Sequence, residues 1–278
     1  MGTRHWTQSY ADIPAEIDAD RYASMVDLLD AALKRHASRP AFKAFGQTLN
    51  YADVDRLSRS FASYLQTKLG VRQGDRVAVM MPNLLAFPVT LLGIMRAGAV
   101  QVNVNPLYTP RELEHQLKDS GATVIVILEN FAHTLAEVID RTAVRHVVLA
   151  SMGDLLGFWY GRWITFAVRH LARLVPAFRL PLDNGRAVTP FKAALAAGAN
   201  KLLKPAQAGP ETPAFLQYTG GTTGLSKGAV LTHRNVIAGI LQAEAWMHPA
   251  LKRVGDVTRT NGIAALPLYH IFALTANC

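Results

Sequence analysis

Residues 218–229 read Tyr-Thr-Gly-Gly-Thr-Thr-Gly-Leu-Ser-Lys-Gly-Ala and follow the apolar run Ala214-Phe215-Leu216. An apolar run that ends in glycines and hydroxyls reads as a buried strand releasing a loop at its carboxyl end. Glycine tolerates positive φ and close approach, so successive N–H groups of such a loop can converge on an anion. Threonine and serine hydroxyls add donors, and Lys227 adds a point charge, which together suit the phosphates of a nucleotide triphosphate. A plain surface reversal needs one or two glycines. Four within twelve residues, interleaved with hydroxyls, favour the anion-binding reading.

Spacing separates this loop from two look-alikes. A Walker A loop places its lysine at the start of a helix. Here Lys227 precedes the apolar Ala229-Val230-Leu231, which resembles a returning strand, and the helix signal comes at Thr232, an N-cap for the periodic Val236, Ile240 and Ala243. The loop is therefore expected to be a hairpin flap. Gly224-Leu225-Ser226-Lys227-Gly228 also matches the G-x-S-x-G elbow of serine hydrolases, with Asp256 and His270 downstream. That alternative is disfavoured, because an elbow needs a strand ending at the serine and a helix starting directly after it.

Outward from the loop, the pattern alternates. Residues 77–81, 99–104, 122–128 and 144–150 read as strands, 84–97 as a helix, and 110–119 as a helix capped by Thr109 with Pro110 first. This predicts an α/β fold with a mostly parallel sheet flanked by helices. Residues 1–180 are expected to form a first α/β subdomain. The proline- and glycine-rich 181–213 would be an irregular connection, and 214–278 the start of a second subdomain carrying the loop. Residues 155–180, written on a helix, align Arg162, Arg169 and Arg173 on one stripe beside Trp159, Trp163, Ile164 and Leu171. Such a basic amphipathic helix is a candidate for peripheral membrane contact, or else packs on its own domain.

Composition excludes several classes. With half of its 278 residues hydrophobic and 18% charged, the chain is globular in composition. Its formal charge of +9 points to polyanionic partners. No helix-turn-helix, zinc-finger or RNP-type segment accompanies the charge, so nucleotide phosphates and anionic lipid explain it better than nucleic acid. The single cysteine, Cys278, fits a reducing, cytoplasmic compartment. The nine histidines show no zinc-ligand spacing, and the apolar run 84–95 is too short to span a bilayer.

Three stretches carry a resemblance: residues 218–228, Leu231-Thr-His-Arg-Asn235, and Leu266-Pro-Leu-Tyr-His-Ile-Phe-Ala-Leu-Thr275. They resemble the phosphate loop and following core motif of AMP-forming acyl-CoA synthetases. Residues 74–83 and 102–113, the latter Val-Asn-Val-Asn-Pro-Leu-Tyr-Thr-Pro-Arg-Glu-Leu, resemble the long-chain fatty-acid–CoA ligase branch. The likeness implies the adenylate-forming fold and a two-step reaction. A fatty carboxylate and ATP give an acyl-adenylate, which coenzyme A converts to a thioester.

The resemblance also implies residue roles. Tyr218, Thr219, Gly220, Gly221, Thr222, Thr223, Gly224, Leu225, Ser226, Lys227, Gly228 and Ala229 would hold ATP. Thr223, Lys227 and His270 would serve catalysis, and Thr219 would help hold Mg2+. His270 and Ile271 would abut the acyl-adenylate, with Phe272 and Leu274 bordering the acyl tunnel. Many relatives have serine where Gly221 stands and proline where Ser226 stands, and some have an aromatic gate at the position of Leu274. The family's later motifs, including its C-terminal lysine domain, are not found in these residues. The chain is thus expected to be an N-terminal fragment with little ligase activity of its own. A non-catalytic nucleotide- or lipid-binding module is the alternative.

Overall fold

The computed structural model describes residues 5–10, 12–181, 185–219, 226–254 and 261–277. In chain order the elements are α1 (Met25–Arg35), β1 (Pro40–Ala44), β2 (Gln47–Asn50), α2 (Tyr51–Thr67), β3 (Arg76–Met80), α3 (Ala86–Arg96), β4 (Val100–Asn103), α4 (Pro110–Ser120) and β5 (Val124–Leu128). Then follow α5 (Ala132–Ala136), β6 (His146–Ala150), α6 (Phe158–Phe166), β7 (Ala187–Pro190), α7 (Phe191–Gly198), β8 (Pro213–Thr219), β9 (Lys227–Thr232), α8 (His233–Val254) and α9 (Ile271–Asn277).

Seven strands form one sheet in the order β7-β6-β5-β3-β4-β8-β9. Every neighbouring pair is parallel except β8–β9, which is antiparallel. The central strands bury apolar side chains on both faces, as parallel strands covered by helices do. Val77, Val79, Val124 and Val126 face the layer of α2, α3, α7 and α8. Ala78, Met80, Ile125 and Ile127 face α4 and α5. This is the α/β architecture expected from the alternating pattern.

Local chemistry fixes the boundaries. Thr109 and Glu112 form a reciprocal capping box at the start of α4, with Pro110 in its first turn, and Gly121 closes the helix in the left-handed region. Asn235 N–H donates to the Thr232 hydroxyl at 3.3 Å and Thr232 N–H donates to Asn235 Oδ1 at 3.1 Å, so Thr232 caps α8 as expected.

Two segments depart from the sequence reading. Residues 187–198, expected to be irregular, form edge strand β7 and helix α7. Pro190 is tolerated because it closes an edge strand. Gly198 serves packing, since a Cβ there would sit 1.9 Å from the Ser60 carbonyl oxygen of α2. The helix expected over 155–180 spans only α6 and a π-helical turn, Ala167–Leu171. Gly157 at φ 82° precedes it, and Arg173 at φ 52° stops it. The arginine stripe is consequently broken. Arg169 turns inward and donates from Nε and Nη2 to Glu129 Oε2, at 2.8 and 2.5 Å.

Candidate functional site

The hairpin expected around the glycine-rich loop is present. Its strands pair Tyr218 with Gly228 and Thr219 with Lys227. Gly220, Gly221, Thr222, Thr223, Gly224 and Leu225 lie outside the described residues. The last residue of β8 and the first of β9 therefore set where the loop leaves and returns. Lys227 stands at that return, exposed.

Helix α4 holds the stem from one side. The Tyr218 hydroxyl donates to Asp119 Oδ2 at 2.5 Å. Burial, reinforced by this carboxylate, raises the Tyr218 phenol well above its ordinary pKa. Its ring lies so close to the opposite strand that a Cβ at Gly228 would be 2.9 Å from it, which explains the glycine. One turn earlier on α4, His115 Nε2 is 2.9 Å from the Ser226 carbonyl. Burial also raises the Tyr108 phenol, with Glu112 adding to the rise, while a hydrogen bond with the Ser226 side chain opposes it. Both ends of the loop are thus tied to the segment 108–119.

Between hairpin and helix lies a cavity of about 770 Å³. Tyr218, Thr219 and Ser226 line one wall, Asn105, Arg111 and Glu112 a second, and Tyr269, His270 and Ile271 a third. It opens beyond the carboxyl ends of β4 and β8, where ligands bind open α/β sheets. The Glu112 carboxyl is held below its ordinary pKa by hydrogen bonds from the Thr109 hydroxyl and N–H, so it stays an anion there. Arg111, on the same wall, supplies opposing positive charge.

The third wall is positioned by Asn83, just past β3. Its Nδ2 donates to the carbonyls of Ala264 and Leu266 at 2.8 and 2.9 Å, and its Oδ1 accepts from Leu268 N–H at 2.8 Å. His270 follows and precedes the first turn of α9, whose Leu274 N–H donates to the His270 carbonyl. Of the four residues expected to contact substrate, His270 and Ile271 reach the cavity. Leu274 is buried in the core and Phe272 is 64% exposed, because the helical period of α9 turns them elsewhere.

Sequence reasoning missed Tyr108, His115, Asp119 and Asn83 as supports. Tyr108 and Asn83 fall within quoted motifs, but their partners lie far along the chain. The hydrolase reading fails on geometry, since Ser226 runs directly into β9 and not into a helix. Its Asp256 lies outside the described residues.

A mostly parallel sheet with a hairpin at its carboxyl edge is an open α/β frame of the kind that binds ligands beyond its strand ends. The family model for AMP-binding enzymes matches residues 29–278, and the chain belongs to that family. It is similar to the long-chain-fatty-acid–CoA ligase of Escherichia coli O157:H7, with 52% identity over 274 residues, 98% of this chain and 47% of that protein. The namesake from Bacillus subtilis (strain 168) is 30% identical over 273 residues, covering 98% of this chain and 46% of the relative. The chain thus spans under half the length of these relatives. A crystal structure of a long-chain-fatty-acid-CoA ligase from Archaeoglobus fulgidus shares the fold, with a TM-score of 0.65 at 23% identity over 95% of this chain and 48% of that one.

Proposed function

We propose that this chain carries the phosphate-binding part of an AMP-forming long-chain fatty-acid–CoA ligase. The observation that carries the reading is the 52% identity, sustained over 98% of the chain, to a curated ligase of that name. The hairpin stem beside a cavity of sufficient size supports it.

In this reading the loop N–H groups, Thr222, Thr223 and Lys227 bind the β- and γ-phosphates of ATP and stabilise the charge that grows as pyrophosphate leaves. His270 and Ile271 orient the fatty carboxylate toward the α-phosphorus. The coenzyme A thiol then takes the acyl group as a thioester, and AMP leaves with the oxygen of the broken acyl–phosphate bond. Magnesium, when bound, would neutralise polyphosphate charge. Among the described residues no three acidic, histidine or cysteine side chains gather to hold a metal. The donor set therefore fits an ion carried mostly by phosphate and water oxygens, with the Thr219 hydroxyl as the protein's contribution. A C-terminal lysine domain belongs to the same proposal for the whole protein.

The test separates the half-reactions in the intact protein. Lys227→Ala and Thr223→Ala should each slow adenylate formation about a hundredfold, the scale of losing one charge-stabilising donor, and spare thioester formation from preformed acyl-adenylate. Equal losses in both steps would refute the assignment.

We also assign a cytoplasmic location with peripheral membrane contact. Among the described residues no helix is long and apolar enough to cross a membrane. Helix α6 instead leaves Phe158, Trp159, Trp163 and Phe166 exposed, with the Arg162 guanidinium over the Phe158 ring. Aromatic residues beside arginines suit a headgroup interface, where a long-chain fatty acid would be met.

A further inference from the structure

A chain of buried side-chain amides runs through the sheet and ends at the cavity. Gln101 and Asn103 sit on β4, in register with Val77 and Val79 of β3, and Gln217 of β8 pairs with Asn103. Gln101 Nε2 donates to Asn103 Oδ1 at 2.7 Å. Asn103 Nδ2 donates to Gln217 Oε1 at 3.0 Å. Gln217 Nε2 donates to the Tyr269 carbonyl at 3.3 Å. From α4, Gln116 Nε2 fastens the main-chain carbonyl of Asn103 at 2.8 Å.

These amides are costly where they stand. All are buried, and β3 fills the matching positions with valine, so the sheet itself does not require them. The donors of Gln101, Asn103 and Gln217 point the same way along the chain, toward the peptide between Tyr269 and His270. Asn103 and Gln217 use both ends of their amides, so neither can flip without opposing donor to donor. The next N–H, that of His270, donates to Pro267 at 2.9 Å, which fixes the other side of the same peptide.

We propose that Gln217, held by Asn103 and Gln101, is a positioning residue that sets the place of His270 at the cavity and so the reception of the fatty carboxylate. The substrate in this statement rests on the ligase reading above. The positioning rests on the hydrogen bonds alone.

Tyr269-His270 is the only Tyr-His dipeptide in the chain. Tyrosine isotope-labelled at its carbonyl carbon and histidine at its amide nitrogen therefore give a single carbonyl–amide correlation by NMR. Gln217→Met keeps the length of the side chain and loses the donor, and it should move that carbonyl upfield. Asn103→Leu should move it less, and Gln217→Glu should return it toward the wild-type position at acid pH, where a protonated carboxyl donates again. In the intact ligase, Gln217→Met should raise KM for fatty acid about three- to tenfold, the value of one hydrogen bond, and leave KM for ATP unchanged. A correlation that stays in place in both Gln217→Met and Asn103→Leu overturns the proposal, as does a moved correlation with unchanged fatty-acid KM. Failure of the ligase reading has a separate signature: an intact wild-type protein that forms no acyl-adenylate from ATP and a long-chain fatty acid.

Discussion

Helices α3 and α6 are both almost entirely apolar, yet the molecule treats them oppositely. All eleven residues of α3, Ala-Phe-Pro-Val-Thr-Leu-Leu-Gly-Ile-Met-Arg, are buried. Of the nine in α6, Phe-Trp-Tyr-Gly-Arg-Trp-Ile-Thr-Phe, only Gly161 is. The difference is one of layering. Helix α3 links two central strands, lies against the sheet, and is roofed by α2. Helix α6 follows β6 near the sheet's edge and touches the rest through a narrow foot. At that foot Gly153 and Gly161 cross so closely that a Cβ on Gly161 would be 2.3 Å from the Gly153 carbonyl oxygen. Arg169 bonds Glu129, and the Asn130 amide donates to the Leu174 carbonyl at 2.9 Å. An apolar helix is thus core or contact surface according to what covers it, which composition does not encode.

The largest effect is expected at α3. Phe87→Ala empties a fully buried site and should cost about 3–5 kcal/mol, read by denaturant unfolding. Next comes the foot of α6. Gly161→Val must push two backbones apart and should cost about 1–3 kcal/mol, with new proteolytic cleavage confined to the α6 region. Cleavage spread over the whole chain would show that α6 is no independent appendage.

A subtler effect is expected at Asp154, beside the same foot. Its carboxylate accepts from Ser151 N–H at 2.8 Å, but burial raises its pKa above the ordinary 3.8. The folded state therefore prefers the proton, and the contribution favours folding below pH 3.8 and is lost as pH rises through the folded pKa. Asp154→Asn should accordingly raise the Tm at pH 7, and the gain should shrink as pH falls toward 3.8. Smallest is Trp163→Ala, which should alter stability by no more than about 0.5 kcal/mol while weakening binding to anionic vesicles. A large stability loss there would place Trp163 in the core after all.

Much of the fold was legible because its signals are local. The valine and isoleucine runs of β3 and β5, the Thr109-Pro110-Glu112 cap and the Thr232 cap each act within a few residues. The hairpin was legible for the same reason, since Lys227 is followed by strand-like residues. What stayed hidden depends on distant partners. Gly198 looks like a loop residue until α2 is laid against it. Asp119 and His115 look like solvated helix positions until β8 returns beside β4. Arg169 looks like part of a basic stripe until a π-turn swings it onto Glu129. The amides of β4 and β8 break the apolar pattern of the sheet, and nothing local reveals that they address one another.

The insertion of β8 beside β4 has a consequence for biosynthesis. Strands β3 to β6 can pair as soon as they leave the ribosome, whereas one edge of β4 keeps its N–H and C=O groups bare until residues near 215 emerge. Such an edge is a template for wrong pairing, and closing so long a loop is slow. Nascent chains halted in that interval should depend on chaperones more than chains released after β8 has docked.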